Sequence, residues 1–257
     1  SHTVEMTEAP TEKSTETEIT DVTDTKKRLT CYIEGSKVSG AIYLPEGDGK
    51  FPAVIMISGM GTSYISLEED AKKIAAEGIA VVTFDCRGYC IGHSSKEGKY
   101  TEISLKSSAK DIIEITDIIS EYPAIDKENI FLLGLSGGGH MALLMAGMCP
   151  EYFKAIGAYV PITNLVDWVE ENQAYAPHVL ACCANSTNEM LKRSPITYLD
   201  TIAKANLKIF HGKKDPVVPV SQSMKLYNAL LEKYPNALVY LDVFDGGHEI
   251  DMETAFY

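Results

Sequence analysis

Gly134-Leu135-Ser136-Gly137-Gly138 constrains this chain more than any other stretch, because of what flanks it. Asn129 to Leu133 is a short apolar, partly β-branched run that reads as a buried strand. Gly139 to Met148 has few polar positions and reads as a helix. A G-x-S-x-G sequence between a strand and a helix makes a turn so tight that its serine takes a strained backbone conformation, and glycines on both sides avoid the clashes. The turn lifts the Ser136 hydroxyl clear of the backbone, at the positive end of the following helix.

A serine alone is a poor nucleophile, so a base and a group to orient it are needed. Leu207 to His211 reads as a strand, with Asp215 in the turn beyond it, and Leu238 to Phe244 reads as another strand, followed by Asp245-Gly246-Gly247-His248. Residues at the carboxyl ends of neighbouring parallel strands converge on one edge of a sheet. The order Ser, Asp, His, each just after a strand, therefore predicts that His248 takes the Ser136 proton while Asp215 holds the imidazole. His211 ends a strand and is expected to make a structural hydrogen bond. His140 lies within the helix after Ser136 as a pocket candidate, and His93 and His178 lie on loops as candidates for substrate contact. Asp242 is mid-strand, and Asp245 is too near His248 in sequence to orient it.

These residues together resemble the α/β-hydrolase superfamily, and within it the prolyl oligopeptidase-like and dienelactone hydrolase-like serine hydrolases. The matching pieces are the glycine-flanked Ser136, His211-Gly212-Lys213-Lys214-Asp215 with Val218-Pro219, and Gly246-Gly247-His248. Phe84-Asp85-Cys86-Arg87-Gly88 is similar to the family's D-x-R-G loop, and Ser194-Pro195-Ile196-Thr197-Tyr198 to the segment before its acid strand. The resemblance spans residues 28–257. It implies an α/β fold with a mostly parallel eight-stranded sheet, helices on both faces, and a small lid insertion over 161–200. It also implies an oxyanion hole built from the Gly137 and Met60 backbone amides. Many relatives carry Tyr or His where this chain has Ser58, so Tyr64 is expected to substitute from nearby. Ser58, Tyr64, Trp168, His178, Val217 and Val218 are the pocket candidates. The loop after Arg87 is longer than the family's usual one, and Arg87 is expected to tie that loop to neighbouring acids or carbonyls.

The strands are expected near 29–34, 38–44, 53–58, 79–84, 129–134, 154–160, 207–211 and 237–244. Helices are expected near 67–77, 104–121, 137–148 and 220–233, with a short one after His248. Residues 1–27 read as a disordered or loosely attached leader: residues 1–25 hold seven acidic residues against one Lys and almost no large apolar side chain. That stretch carries six of the chain's thirteen net negative charges. An acidic chain of pI about 4.9 has no electrostatic footprint for nucleic acid. No run is apolar enough to span a bilayer. The Thr-rich acidic leader points to export, with a cytoplasmic enzyme as the alternative. The six cysteines show no metal-ligand spacing, Cys86 and Cys90 are candidates for one bridge, and no cofactor is implied.

The expected activity is hydrolysis of carboxylic esters through an acyl-enzyme, with small acyl or aromatic carbohydrate-type esters as the expected substrates. A peptidase is the alternative, with Glu170-Glu171 in the lid as the group for a substrate's amino terminus. A non-catalytic binding module on the same scaffold is the third reading.

Overall fold

The computed structural model describes residues 16–87 and 105–249, and the side chains of 105–107 and His178 are not among those described. Its centre is a nine-stranded sheet in the order β1-β2-β3-β5-β4-β6-β7-β8-β9. Strands β4 (Phe51–Ile57), β5 (Ala80–Phe84), β6 (Ile125–Leu135), β7 (Ile156–Tyr159), β8 (Leu207–Gly212) and β9 (Val239–Phe244) run parallel. Strands β1 (Thr17–Asp21), β2 (Lys26–Ile33) and β3 (Ser36–Tyr43) form an antiparallel flank, joined to β5 through β3.

The side-chain period of two makes the centre of this sheet buried on both faces. Along β4, Ala53, Ile55 and Ile57 point to one face, and Val54 and Met56 to the other. The first face packs against α2 (Leu105–Ser120), α3 (Gly137–Met148) and α8 (Ser221–Lys233) through Ile112, Ile115, Leu143, Met145, Leu226 and Leu230. The second packs against α1 (Glu68–Ala76) through Ala71 and Ile74. Among the described residues, no helix is long and apolar enough to cross a membrane.

Two expectations need correction. The sheet has nine strands, not eight, and the added one lies inside the expected leader. Thr17–Asp21 pairs with Lys27–Cys31, so the chain enters the sheet about ten residues before residue 28. An edge strand open to solvent can hold by backbone hydrogen bonds to its one neighbour, so its side chains carry no apolar alternation. Residues 1–15, the loop insertion after Arg87, His93, Cys90 and the short helix after His248 lie outside the described residues. Cys86 is buried with a free thiol.

Between β7 and β8 the expected lid is made of short helices: α4 (Leu165–Glu171), α5 (Ala176–Cys182), α6 (Thr187–Lys192), a 3-10 turn at Pro195–Tyr198, and α7 (Leu199–Ile202). Asn164 caps α4 by accepting from the Val166 and Asp167 amides. Ile162, Leu165, Trp168, Val179, Cys183 and Met190 give the lid a small apolar core of its own, which it shares with Val218.

Candidate active site

Strand β6 ends at Leu135 and α3 starts at Gly137, leaving one residue for the reversal. Ser136 takes φ 54° and ψ −112°, a conformation that L side chains rarely adopt. Its N–H donates to the Tyr159 carbonyl and its carbonyl accepts from the His140 N–H, so hydrogen bonds hold the strained residue on both sides. The turn also needs its glycines. A Cβ at Gly134 would stand 2.0 Å from the Gly138 carbonyl oxygen, and one at Gly138 would stand 2.2 Å from the Ile57 carbonyl oxygen.

Asp215 and His248 stand in the turns after β8 and β9. The two turns are tied together, with the Lys213 N–H donating to Phe244 O at 2.9 Å and the Lys214 N–H to Gly246 O at 2.9 Å. His248 Nε2 lies 2.8 Å from Ser136 Oγ, and His248 Nδ1 lies 2.7 Å from Asp215 Oδ2. The other oxygen, Asp215 Oδ1, accepts from the Val217 and Val218 amides, each at 2.8 Å. Burial pushes the Asp215 carboxyl up. Hydrogen bonds from His211, His248 and the Val218 and Val217 amides outweigh it and hold the group well below the ordinary range. An ionised Asp215 requires the proton on His248 Nδ1, which leaves Nε2 to accept from the serine hydroxyl.

The rival groups are occupied elsewhere. His211 is buried, with Nδ1 2.6 Å from Ser223 Oγ and Nε2 2.8 Å from the Val218 carbonyl oxygen. Its Nε2 also stands 3.5 Å from Asp215 Oδ2, to which His248 Nδ1 is closer at 2.7 Å. Asp242 pairs with Lys208, and Asp245 with Lys213 and Lys214. His140 does not line the cavity: its Nδ1 lies 2.9 Å from Ile162 O, so Nδ1 carries the proton. Burial pushes its pKa down to about 4. Arg87 pairs with the buried Asp111 and with Glu34.

A cavity of about 680 Å³ opens over Ser136 and His248. Gly137 and Met60 both line it beside the serine. Gly137 is the first residue of α3, so its amide has no carbonyl partner within the helix. Val217, Val218 and Trp168 are in the wall, and the wall is predominantly apolar. Ser58 and Tyr64 are not. Ser58 is buried at the end of β4, where its carbonyl oxygen faces the backbone of Gly138. The Tyr64 ring packs on the far face of the sheet with Leu67 and Ala71, while its N–H donates to Asp85 Oδ1 at 2.7 Å. That bond and Ser63 Oγ to Asp85 Oδ2 fasten the loop carrying Met60, which gives the aspartate of the D-x-R-G segment a structural task.

Sequence reasoning did not place Asp70, Ile162, Tyr175 or Val179 in the cavity wall. Asp70 reads from sequence as an acid in the first turn of a helix, and the others depend on how the lid folds back. Tyr175 stacks on Trp168 with ring centroids 6.0 Å apart. Glu170 and Glu171 do not line the cavity, and Glu171 accepts from Gln222 and pairs with Lys225.

Residues 66–255 match the prolyl oligopeptidase family. Esterase FrsA of Escherichia fergusonii is 29% identical over 133 residues, which is 51% of this chain and 30% of that protein. The match thus spans about a third of the curated relatives' length. Among solved structures, an acylaminoacyl peptidase from Pyrococcus horikoshii aligns with TM-score 0.71 and 21% identity, over 93% of this chain and 39% of that one. Acetyl xylan esterase 1 from Thermoanaerobacterium aligns with TM-score 0.69 and 16% identity, over 96% and 86% respectively. At these identities the likeness is one of fold.

Proposed function

The chain belongs to the prolyl oligopeptidase family and has the α/β-hydrolase fold, and on that premise we propose that it hydrolyses carboxylic esters through an acyl-enzyme on Ser136. The observation that carries this reading is the unbroken line from Ser136 Oγ through His248 to Asp215, at 2.8 and 2.7 Å, beneath an apolar cavity. Ser136 Oγ attacks the carbonyl carbon as His248 Nε2 takes its proton, and ionised Asp215 stabilises the imidazolium. The Gly137 and Met60 amides receive the developing oxyanion. One such donor is worth about 2.7–4 kcal/mol in the transition state. His248 then gives its proton to the leaving alcohol, deprotonates a water, and the attack of that water on the acyl-enzyme frees the acid and restores Ser136.

Esters are preferred over peptides because Glu170 and Glu171 stand away from the cavity. One observation favours a second reading. Asp70 lines the cavity and is a carboxylate that an aminoacyl group's ammonium would seek. Hydrolysis of p-nitrophenyl acyl esters from acetate to decanoate, beside an aminoacyl-p-nitroanilide, separates the two. Ester turnover that vanishes in Ser136→Ala is expected. Preferential anilide cleavage would move the assignment to a peptidase, and silence on all substrates with no fluorophosphonate labelling of Ser136 would leave a binding module.

A further inference from the structure

The acid of the catalytic line is held by a turn, and the turn is held by the lid. The Val217 and Val218 N–H groups fix Asp215 Oδ1, which leaves Oδ2 for His248. The Val217 carbonyl oxygen in turn accepts two hydrogen bonds from α4 and its C-cap, from Trp168 Nε1 at 2.9 Å and from Asn172 Nδ2 at 2.6 Å. That carbonyl and the Val218 N–H are the two ends of one planar peptide unit. Donors that draw on its oxygen strengthen its N–H as a donor, and they also fix the plane in which that N–H points.

We propose that Trp168 and Asn172 are positioning residues: through the Val217–Val218 peptide they hold the Asp215 carboxylate facing His248, so that the lid's seat and the acid's alignment are one arrangement. Trp168 is at the same time a wall of the cavity, so the substrate pocket and the acid share a side chain. The role of the pair rests on the serine hydrolase reading above. Helix α4 has other fastenings: the Leu165 N–H donates to Ser194 Oγ, and Gln222 Oε1 accepts from the Thr163 and Asn164 amides. Removing the Asn172 amide therefore takes away one of the brace's two donors without unseating the helix. Among the described residues, the titratable groups facing Asp215 are His248 and His211, while Glu171 and Lys225 pair with each other on the lid's outer side.

The test compares Asn172→Ala, Trp168→Phe and Lys225→Ala with the wild type on p-nitrophenyl butyrate across pH. Asn172→Ala is expected to lower kcat roughly three- to tenfold, the worth of one hydrogen bond, with KM within about twofold. The acid limb of kcat/KM should move to lower pH, because a loosened carboxylate stabilises the imidazolium less. Trp168→Phe should move the limb the same way and alter KM as well. Lys225→Ala, which breaks only the lid's surface ion pairs, should change neither. An unchanged kcat in Asn172→Ala, a lower kcat with an unmoved limb, or a limb moved to higher pH would each overturn the proposal. The downfield proton signal of the His248 Nδ1–H, read by NMR without substrate, should weaken or shift upfield in Asn172→Ala. An unaltered signal would count against the brace. That readout stands even if ester turnover proves absent, which would instead sink the esterase reading.

Discussion

Replacing Gly138 by alanine would place a methyl carbon 2.2 Å from the Ile57 carbonyl oxygen and 2.7 Å from both the Ile57 carbonyl carbon and the Ser58 carbonyl oxygen. All three neighbours are backbone, so no side chain can swing aside. Ordinary contact begins at 3.4 Å, so the end of β4 and the start of α3 must part by about 1.2 Å. Strand β4 is paired on both sides, with β5 and β6, so α3 is the element that yields. Its first turn carries Gly137 and follows directly on Ser136, while His248 belongs to a separate turn beyond β9 and stays behind. A misplacement of about 1 Å in such a constellation costs on the order of 10²-fold in rate. Overpacking of this kind costs about 1–3 kcal/mol of stability, or roughly 2–4 °C in Tm per kcal/mol for a chain of this size. Gly59→Ala is the matched control. Its methyl would meet Ser136 Cβ at 3.6 Å, an ordinary contact, and would project towards the nucleophile. The assay is kcat and KM on p-nitrophenyl butyrate with thermal unfolding of each variant. Gly138→Ala should lose about two decades of kcat and several degrees of Tm, whereas Gly59→Ala should keep its Tm and change mainly KM. Wild-type kcat and Tm in Gly138→Ala would refute the claim that this close approach sets the position of Ser136.

Three further outcomes are expected. In Asp215→Asn the amide nitrogen faces His248 Nδ1 and forces the wrong tautomer, so kcat should fall by about 10⁴-fold. The native Asp215 carboxyl lies below its unfolded range, so its contribution to stability is full above about pH 4 and lost as pH falls through the native value. Asp215→Asn should therefore flatten the acid slope of denaturant-measured stability. His140 is held neutral down to about pH 4 in the native state and near 6.5 when unfolded, so the unfolded chain takes up the proton first. Stability should fall as pH drops across that window, and His140→Asn, which keeps a donor for Ile162 O, should remove that part of the slope. Asp70→Asn should raise kcat/KM about fivefold for a p-nitrophenyl ester carrying a carboxylate in its acyl chain, by removing a like charge from the cavity. The same variant should leave the neutral butyrate ester unchanged.

What was legible in the sequence was local. The Ser136 turn, the strand before it and the helix after it are written in adjacent residues, and α3 runs over the expected 137–148. Asp215 and His248 could be placed because strand ends in a parallel sheet face one edge, so chain order alone brings them together. The cavity wall was less legible. Asp70 sits where any helix favours an acid, and only the fold turns it towards the site. Tyr64 carries a hydroxyl at the right distance in sequence, but the 3-10 turn at Tyr64–Leu67 sends its ring to the other face of the sheet. Thr17–Asp21 carries no strand signal in its sequence because an edge strand exposed to water shows no apolar period. The brace on Val217 is a contact between residues 45 and 49 apart in sequence, and no spacing rule reaches that far.

The tie between the turns after β8 and β9 also has a meaning in time. Ser136 stands 112 residues ahead of its base, and the base can be presented only once β9 has docked beside β8. As the chain leaves the ribosome, the nucleophile turn and its helix are therefore made long before anything can draw the proton from the hydroxyl. On the serine hydrolase reading proposed above, the nascent protein carries an inert serine, and its chemistry switches on with the seating of one late strand.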